Sequence, residues 1–440
     1  MKYIKYIFLP AFIIASIAGL IVFRNLDARA EIYVGYMTKI MCSEHFVAGR
    51  NVEDIRAQDF FGIDPAVERI NISVDSSSGK VTGNVFGVLG RSAAQYRADA
   101  GCTPAARGGV EPVKIPKPDP LPHRFEEYIR PDIQAIVDAA IGDTGPEAAN
   151  RTRALLVLQD GKIVGEAYGN GFDKHIPMQS WSMAKTVTAM LVGVLIDDGR
   201  LDIHRQNLFR EWTDDDRVNI QLNHLLRMES GLDAHEVYDA TSDVVQMLFR
   251  DRNTGTFAIN KPLESQPGEV FEYSSATTSL ISHLLRQTLG DNAYQALPQK
   301  ALFDPLGMSS TVFETDASGN FIGSSFIYAT ARDYARLGQL YLNGGTWGDR
   351  QILSEDWIEY TTTPTEASNG HYAGHIWINA RSGEFPGLPE TTYYFAGHEQ
   401  QYVIVIPDRD AVIVRLGITR PPADPDRDLH PYFARIYAAL

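Results

Sequence analysis

Cysteine is nearly absent: the chain of 440 residues has two, Cys42 and Cys102. That scarcity excludes a disulfide-dense scaffold and a cysteine-rich zinc module. Positive charge is also short, with 40 Lys and Arg against 55 Asp and Glu, a formal net charge of −15. A nucleic-acid partner is excluded on that ground, because it demands a basic face. There is no internal repeat and no low-complexity tract. No Gly-x-Ser-x-Gly elbow occurs, which argues against an ordinary Ser-His-Asp site on such a turn. What remains is a globular composition, 44% hydrophobic and 22% charged, on a chain too long for one core.

One uncharged stretch is long. Lys2 and Lys5 precede Tyr6–Phe23, which as a helix would span roughly 27 Å, close to the ~30 Å hydrocarbon core of a bilayer. Residues 1–30 are therefore expected to be a signal anchor or a signal peptide, with Ala28-Arg29-Ala30 a candidate cleavage site. Either reading exports the rest of the chain, since the lysines favour the cytoplasmic side. A periplasmic or other extracytoplasmic location follows, with the membrane as a partner through the N-terminal helix. In an oxidising compartment Cys42 and Cys102 either pair or stay as two thiols. Paired across 60 positions, they would contribute about 4 kcal/mol in the loop-entropy view.

Residues 31–108 read as a small pre-domain, in which Ile70, Ile72 and Val74 alternate before a Ser/Gly turn, as in a hairpin. Gly109 to Pro122 holds five prolines in fourteen residues, an extended linker. Residues 123–440 form the main domain. "RALLVLQDGKIVGEAYG" is a hairpin about Asp160-Gly161, and "QYVIVIP" with "AVIVRLG" is a second. Helical patterns fill the middle, and "LHPYFARIYAAL" closes the chain as a helix. Strands at both ends with helices between predict an α/β (α+β) fold: one antiparallel sheet, flanked by helices, with an inserted helical lobe.

Within this domain the stretch from Met183 to Ile196 is apolar all round, so it reads as a buried helix. Its first turn nonetheless carries Ser182 and, three residues on, Lys185, which puts both side chains on one face. A lysine is hardly ever buried without a partner. A second Ser-x-x-Lys, Ser77 to Lys80, sits in a turn where nothing holds the two together. His371 and His375 have metal-like i, i+4 spacing, but Gly374 and the turn into a strand break the helix such a site needs.

Further on, "FEYSSATTS" places Tyr273 and Ser275 before a helix, and "AGHEQQYVIV" places His398-Glu399-Gln400 at the start of a strand. With Ser182-x-x-Lys185, these motifs resemble, in order, those of the serine β-lactamase and penicillin-binding protein superfamily. The likeness is strongest to its class C-like branch of esterases, D-amino-acid peptidases and 6-aminohexanoate-dimer hydrolases. The resemblance runs from about Ala154 to Gly417 and includes "LIDDGRLDI", "LNHLLRMESGL" and "TARDYARLGQLYLNGG".

The resemblance implies Ser182 as nucleophile, Lys185 and Tyr273 as proton-transfer partners and Ser275 in an asparagine slot. His398 would stand in place of a lysine, and the oxyanion would be held by backbone N–H groups of Ser182 and Gln401. No cofactor and no metal are implied. Lys185 and Tyr273 both remain open as the base. The activity implied is cleavage of a small-molecule ester or amide through an acyl-enzyme. A weak β-lactamase or D,D-peptidase, or a non-catalytic sensor of the same fold, are the alternatives. His398 and the adjacent Glu399 would hold a substrate carboxylate less well than a lysine.

Overall fold

The computed structural model describes residues 2–440 except 64, 106–108, 143–150, 240–241 and 381–382, with the side chains of 2–15 and 66 outside that description. The first element, α1 (Lys2–Phe46), is a single unbroken helix. It runs straight through the boundary expected at residue 30. Composition changes near Arg24, but no proline or glycine pair breaks the backbone there, so the helix continues. Among the described residues no helix is long and apolar enough to cross a membrane. The side chains of the first ten residues of the Tyr6–Phe23 run lie outside the described residues.

The C-terminal half of α1 lies on a four-stranded antiparallel sheet of β1 (Ile70–Asp75), β2 (Lys80–Val85), β3 (Leu89–Arg97) and β4 (Gly101–Pro104). Val34, Met37, Met41, Ile55 and Val81 make its core. Gly83 lets the helix close on β2: a Cβ there would stand 2.6 Å from Val34. Cys42 on α1 is disulfide-bonded to Cys102 on β4, with their Cα atoms 5.9 Å apart. Ser77 sits in the β1–β2 turn, where the Asp75 carboxylate accepts its hydroxyl at 2.6 Å.

The Pro-rich segment is a strap along the main domain: Glu111 N donates to Ala317 O and Leu121 N to Asp304 O, both at 2.9 Å. It leads to β5 (Glu126–Glu127) and α2 (Pro131–Ile141), then to the hairpin of β6 (Arg151–Gln159) and β7 (Lys162–Tyr168). Next comes the buried helix α3 (Met183–Asp197), followed by the helical lobe with α4 (Asp243–Phe249) and α5 (Ser275–Leu289). The chain returns through α6 (Ala331–Leu342) to β8 (Trp377–Ile378), β9 (Tyr393–Gly397), β10 (Gln401–Ile406) and β11 (Ala411–Ile418), ending in α7 (His430–Ala439).

These strands form one sheet in the order β8-β9-β10-β11-β6-β7-β5, so both ends of the domain build it. It is antiparallel except at the edge, where the two-residue β5 pairs parallel with β7. The period-2 alternation of strands splits the core in two. Leu155 and Val157 of β6 face α2 and α7 with Ile133 and Phe433, whereas Leu156 and Leu158 face α3 and α6. Residues Met183 to Gly193 of α3 are all buried, as an apolar-all-round sequence requires.

The pre-domain is docked on the main domain by buried charge. Lys39 of α1 pairs with Glu314 at 2.5 Å, both side chains fully buried. Ser43 Oγ and Cys102 N also donate to that carboxylate, at 2.8 and 2.6 Å. Asp59 pairs with Arg153 of β6 at 2.9 Å.

Candidate active site

Ser182 stands at the N-cap of α3, half-buried, directly after Trp181, whose φ is +45°. A left-handed backbone is costly for a tryptophan. It is held by packing: the indole lies parallel to Tyr36 with ring centroids 6.4 Å apart, and edge-on to His398 at 5.3 Å. Lys185, one turn into α3, is buried, and its Nζ donates to Ser182 Oγ at 3.0 Å, Ser275 Oγ at 2.9 Å and Ser324 O at 3.2 Å. Burial pushes its pKa down to about 8, against the pull of the Glu236 carboxylate.

Tyr273 lies across the same point. Lys185 Nζ sits 4.7 Å from its ring centroid, and the Ser182 and Trp377 side chains lie close enough to oppose the effect of burial on its hydroxyl. Burial first, and Glu236 second, raise its pKa well above that of an ordinary phenol, so it is neutral at pH 7. The three side chains from Ser182, Lys185 and Tyr273 thus meet around one spot, and Ser275 joins them at the start of α5.

Sequence reasoning missed Glu236. Its carboxylate accepts from Ser275 N and Ser275 Oγ, each at 2.7 Å, and from Tyr238 OH at 2.8 Å. It caps α5 from another segment, since Ser274 makes no side-chain cap. Glu236 comes from an irregular loop with no motif around it, so no sequence signal could have found it.

The third motif sits differently from expectation. Gly397 pairs with Gln401 across a three-residue turn in which Glu399 and Gln400 have φ of +62° and +67°. Gln401 opens β10 with its side chain turned inward, where its amide nitrogen donates to His398 O at 3.0 Å and its amide oxygen accepts from Gly417 N at 2.9 Å. It does not line the space in front of Ser182; His398 does. The tight turn puts His398, together with Ser182, on the wall of that space, while the Gln401 side chain is held on the other side of the strand. Gly397 explains how close the strand comes, for a Cβ there would stand 2.2 Å from Ser180 O.

His398 reaches solvent through that space, yet the crowding walls lower its pKa, with Glu399 opposing and Arg420 reinforcing. Glu399 is ion-paired with Arg420, which also donates to Asp59 O and Phe61 O of the pre-domain, both at 2.8 Å. His375 is a core residue: its Nδ1 contacts Leu226 O at 2.7 Å, its Nε2 contacts Thr278 Oγ1 at 3.0 Å, and burial drives its pKa to about 3. Among the described residues Asp233, His235 and Glu264 come within reach of a shared cation, but the group is exposed and only its own carboxylates point to one.

A cavity of about 280 Å³ opens in front of Ser182. Glu236, Asp239 and Glu399 line it against one guanidinium, Arg420, already paired.

An antiparallel sheet flanked by helices, with a serine and a buried lysine at the start of the central helix, defines a β-lactamase-like fold. The Beta-lactamase family model matches residues 133–438, and the chain belongs to that family. It is 26% identical over 227 residues to the 6-aminohexanoate-dimer hydrolase of Paenarthrobacter ureafaciens, a match covering 47% of this chain and 56% of that protein. The match therefore spans little more than half of that relative's length.

Among solved structures, a Bacillus anthracis protein assigned as a 6-aminohexanoate-dimer hydrolase superposes with a TM-score of 0.60 at 22% identity, over 75% of this chain and 89% of that one. A penicillin-binding protein homologue from Caulobacter crescentus gives 0.53 at 16% identity, over 71% and 99% of the two chains. At such identities these likenesses concern the fold alone.

Proposed function

We propose that this protein is a serine hydrolase that cleaves an ester or amide bond through an acyl-enzyme on Ser182. The observation that carries the reading is the buried amine of Lys185, 3.0 Å from the Ser182 hydroxyl and with its pKa pushed down to about 8. A serine hydroxyl needs a base to take its proton. Near neutral pH a usable fraction of Lys185 is neutral, whereas the phenol of Tyr273 holds its proton. Lys185 is thus the base, and Tyr273 passes the proton on.

In this mechanism Ser182 Oγ bonds to the carbonyl carbon as its proton moves to Lys185. The carbonyl electron pair shifts onto oxygen, facing the backbone N–H groups of Ser182 and His398. The proton then travels through Tyr273 to the leaving oxygen or nitrogen as the old bond breaks. Water repeats the sequence and frees the acid. Carboxylates outnumber cations around the cavity, so anionic substrates such as β-lactams are handled weakly.

Turnover of p-nitrophenyl acetate that falls by ~10² or more in Ser182→Ala supports the reading; equal turnover in the two proteins contradicts it. The Cys42–Cys102 disulfide and the exposed apolar residues Ile17, Leu20, Ile21 and Val22 of α1 support a companion proposal. In it the chain is exported and held at the membrane by that helix, with residues 31–108 and 123–440 as its two units. Cell fractionation tests this: recovery in the cytosol contradicts it.

A further inference from the structure

The cavity in front of Ser182 is not built by the β-lactamase-like domain alone. One wall comes from the pre-domain: Ile32, Tyr33 and Tyr36 of α1, with Ile63 from the segment between α1 and β1. Facing them are Trp181 and Phe249 of the main domain. Tyr36 is the hinge of this arrangement. Its ring lies parallel to Trp181, 7° between planes, and edge-on to Phe249 at 5.2 Å.

The wall is seated tightly. At Gly35 a Cβ would stand 2.5 Å from Phe249 O, so the missing side chain lets α1 close on α4. The buried Lys39–Glu314 pair one turn further on fixes the helix in place. The charged residues of the lining are Glu236, Asp239 and Glu399 against Arg420, which is paired with Glu399. Most of the remaining lining is aliphatic or aromatic, and Arg420 is its one guanidinium. The carboxylates leave an anionic acyl chain without a free counter-charge, and the apolar walls favour a hydrocarbon chain.

Resting on the hydrolase reading above, we propose that α1 and Ile63 complete an acyl pocket that selects a neutral, apolar acyl chain. The walled space beside Ser182 suits the acyl part, because that part stays on Ser182 while the leaving group must depart. A cavity of about 280 Å³ holds roughly nine heavy atoms at ~30 Å³ each, a medium-chain acyl group. Tyr36 is a specificity-determining residue supplied by the pre-domain.

The test is the chain-length profile of kcat/KM for the full-length protein on p-nitrophenyl esters from acetate to dodecanoate. The proposal predicts a rise of up to about fourfold per added methylene, with a maximum at roughly six to nine carbons. Tyr36→Ala enlarges the pocket and moves the maximum to longer chains. Val245→Phe, from the opposite wall, moves it to shorter ones. If Tyr36→Ala does not fold, Tyr33→Ala takes its place, with the same direction expected.

Ser182-dependent turnover with an unchanged profile in these variants overturns the pocket and leaves the hydrolase reading standing. So does a preference for 6-aminohexanoyl over hexanoyl esters. Turnover that survives Ser182→Ala strikes the hydrolase reading instead, so the two failures are distinguishable.

Discussion

Glu236 holds Ser275 at two points, its backbone N–H and its hydroxyl, each at 2.7 Å. Through that contact the carboxylate reaches the site's proton inventory, because Ser275 also accepts from Lys185. Its charge favours the ammonium form of Lys185, opposing burial. In the proposed mechanism the neutral amine is the base, so kcat/KM should climb tenfold per pH unit at low pH and level off above about 8. Glu236→Gln removes the charge that stabilises the ammonium. The Lys185 pKa should then fall, and the ascending limb should move to lower pH. A limb that stays put or moves up counts against this coupling.

The separation between β9 and the loop before Ser182 is set by Gly397. Gly397→Ala places a methyl group 2.2 Å from Ser180 O, against backbone that cannot swing aside. The strand should shift away and misplace the turn beside the nucleophile. We expect kcat to drop at least ~10-fold with little change in far-UV circular dichroism, given the 10²–10³ worth of one oxyanion donor.

Much of this site is local in sequence, and that part was legible. The pairing of Ser182 with Lys185 follows from i, i+3 spacing on one helix, and Tyr273 and Ser275 sit together before another. The remainder depends on distant segments. Glu236 reaches Ser275 from a loop 39 positions away. The turn at Glu399-Gln400 was misread because two left-handed residues in a row usually advertise themselves as Gly or Asn, and neither is present. The sheet was legible through its alternating and continuous apolar strands, but its parallel edge strand is two residues long and carries no such pattern. The boundary expected at residue 30 was placed by composition, whereas the backbone of α1 responds only to helix breakers.

A buried ion pair holds α1 against the rest of the fold. The Lys39–Glu314 pair is fully buried, and its carboxylate also serves Ser43 and Cys102. Glu314→Ala leaves a buried ammonium without its partner, a loss of about 3–5 kcal/mol. Urea unfolding should register it as a lower midpoint. A change under ~1 kcal/mol would mean the pair is dispensable.

The disulfide closes a stretch with a sequence separation of 60. Loop entropy assigns it about 4 kcal/mol, so the Cys42→Ala/Cys102→Ala protein should unfold at distinctly lower urea than the oxidised wild type. Reducing agent should lower the wild type toward the double variant and leave the variant itself unmoved.

Mass spectrometry of the intact protein after brief exposure to a fluorophosphonate tests the central claim most directly. The account predicts one adduct per chain, mapping to the peptide that holds Ser182, with labelling lost in Ser182→Ala and slowed in Lys185→Met. Equal labelling of wild type and Ser182→Ala, or an adduct on another residue, would contradict it.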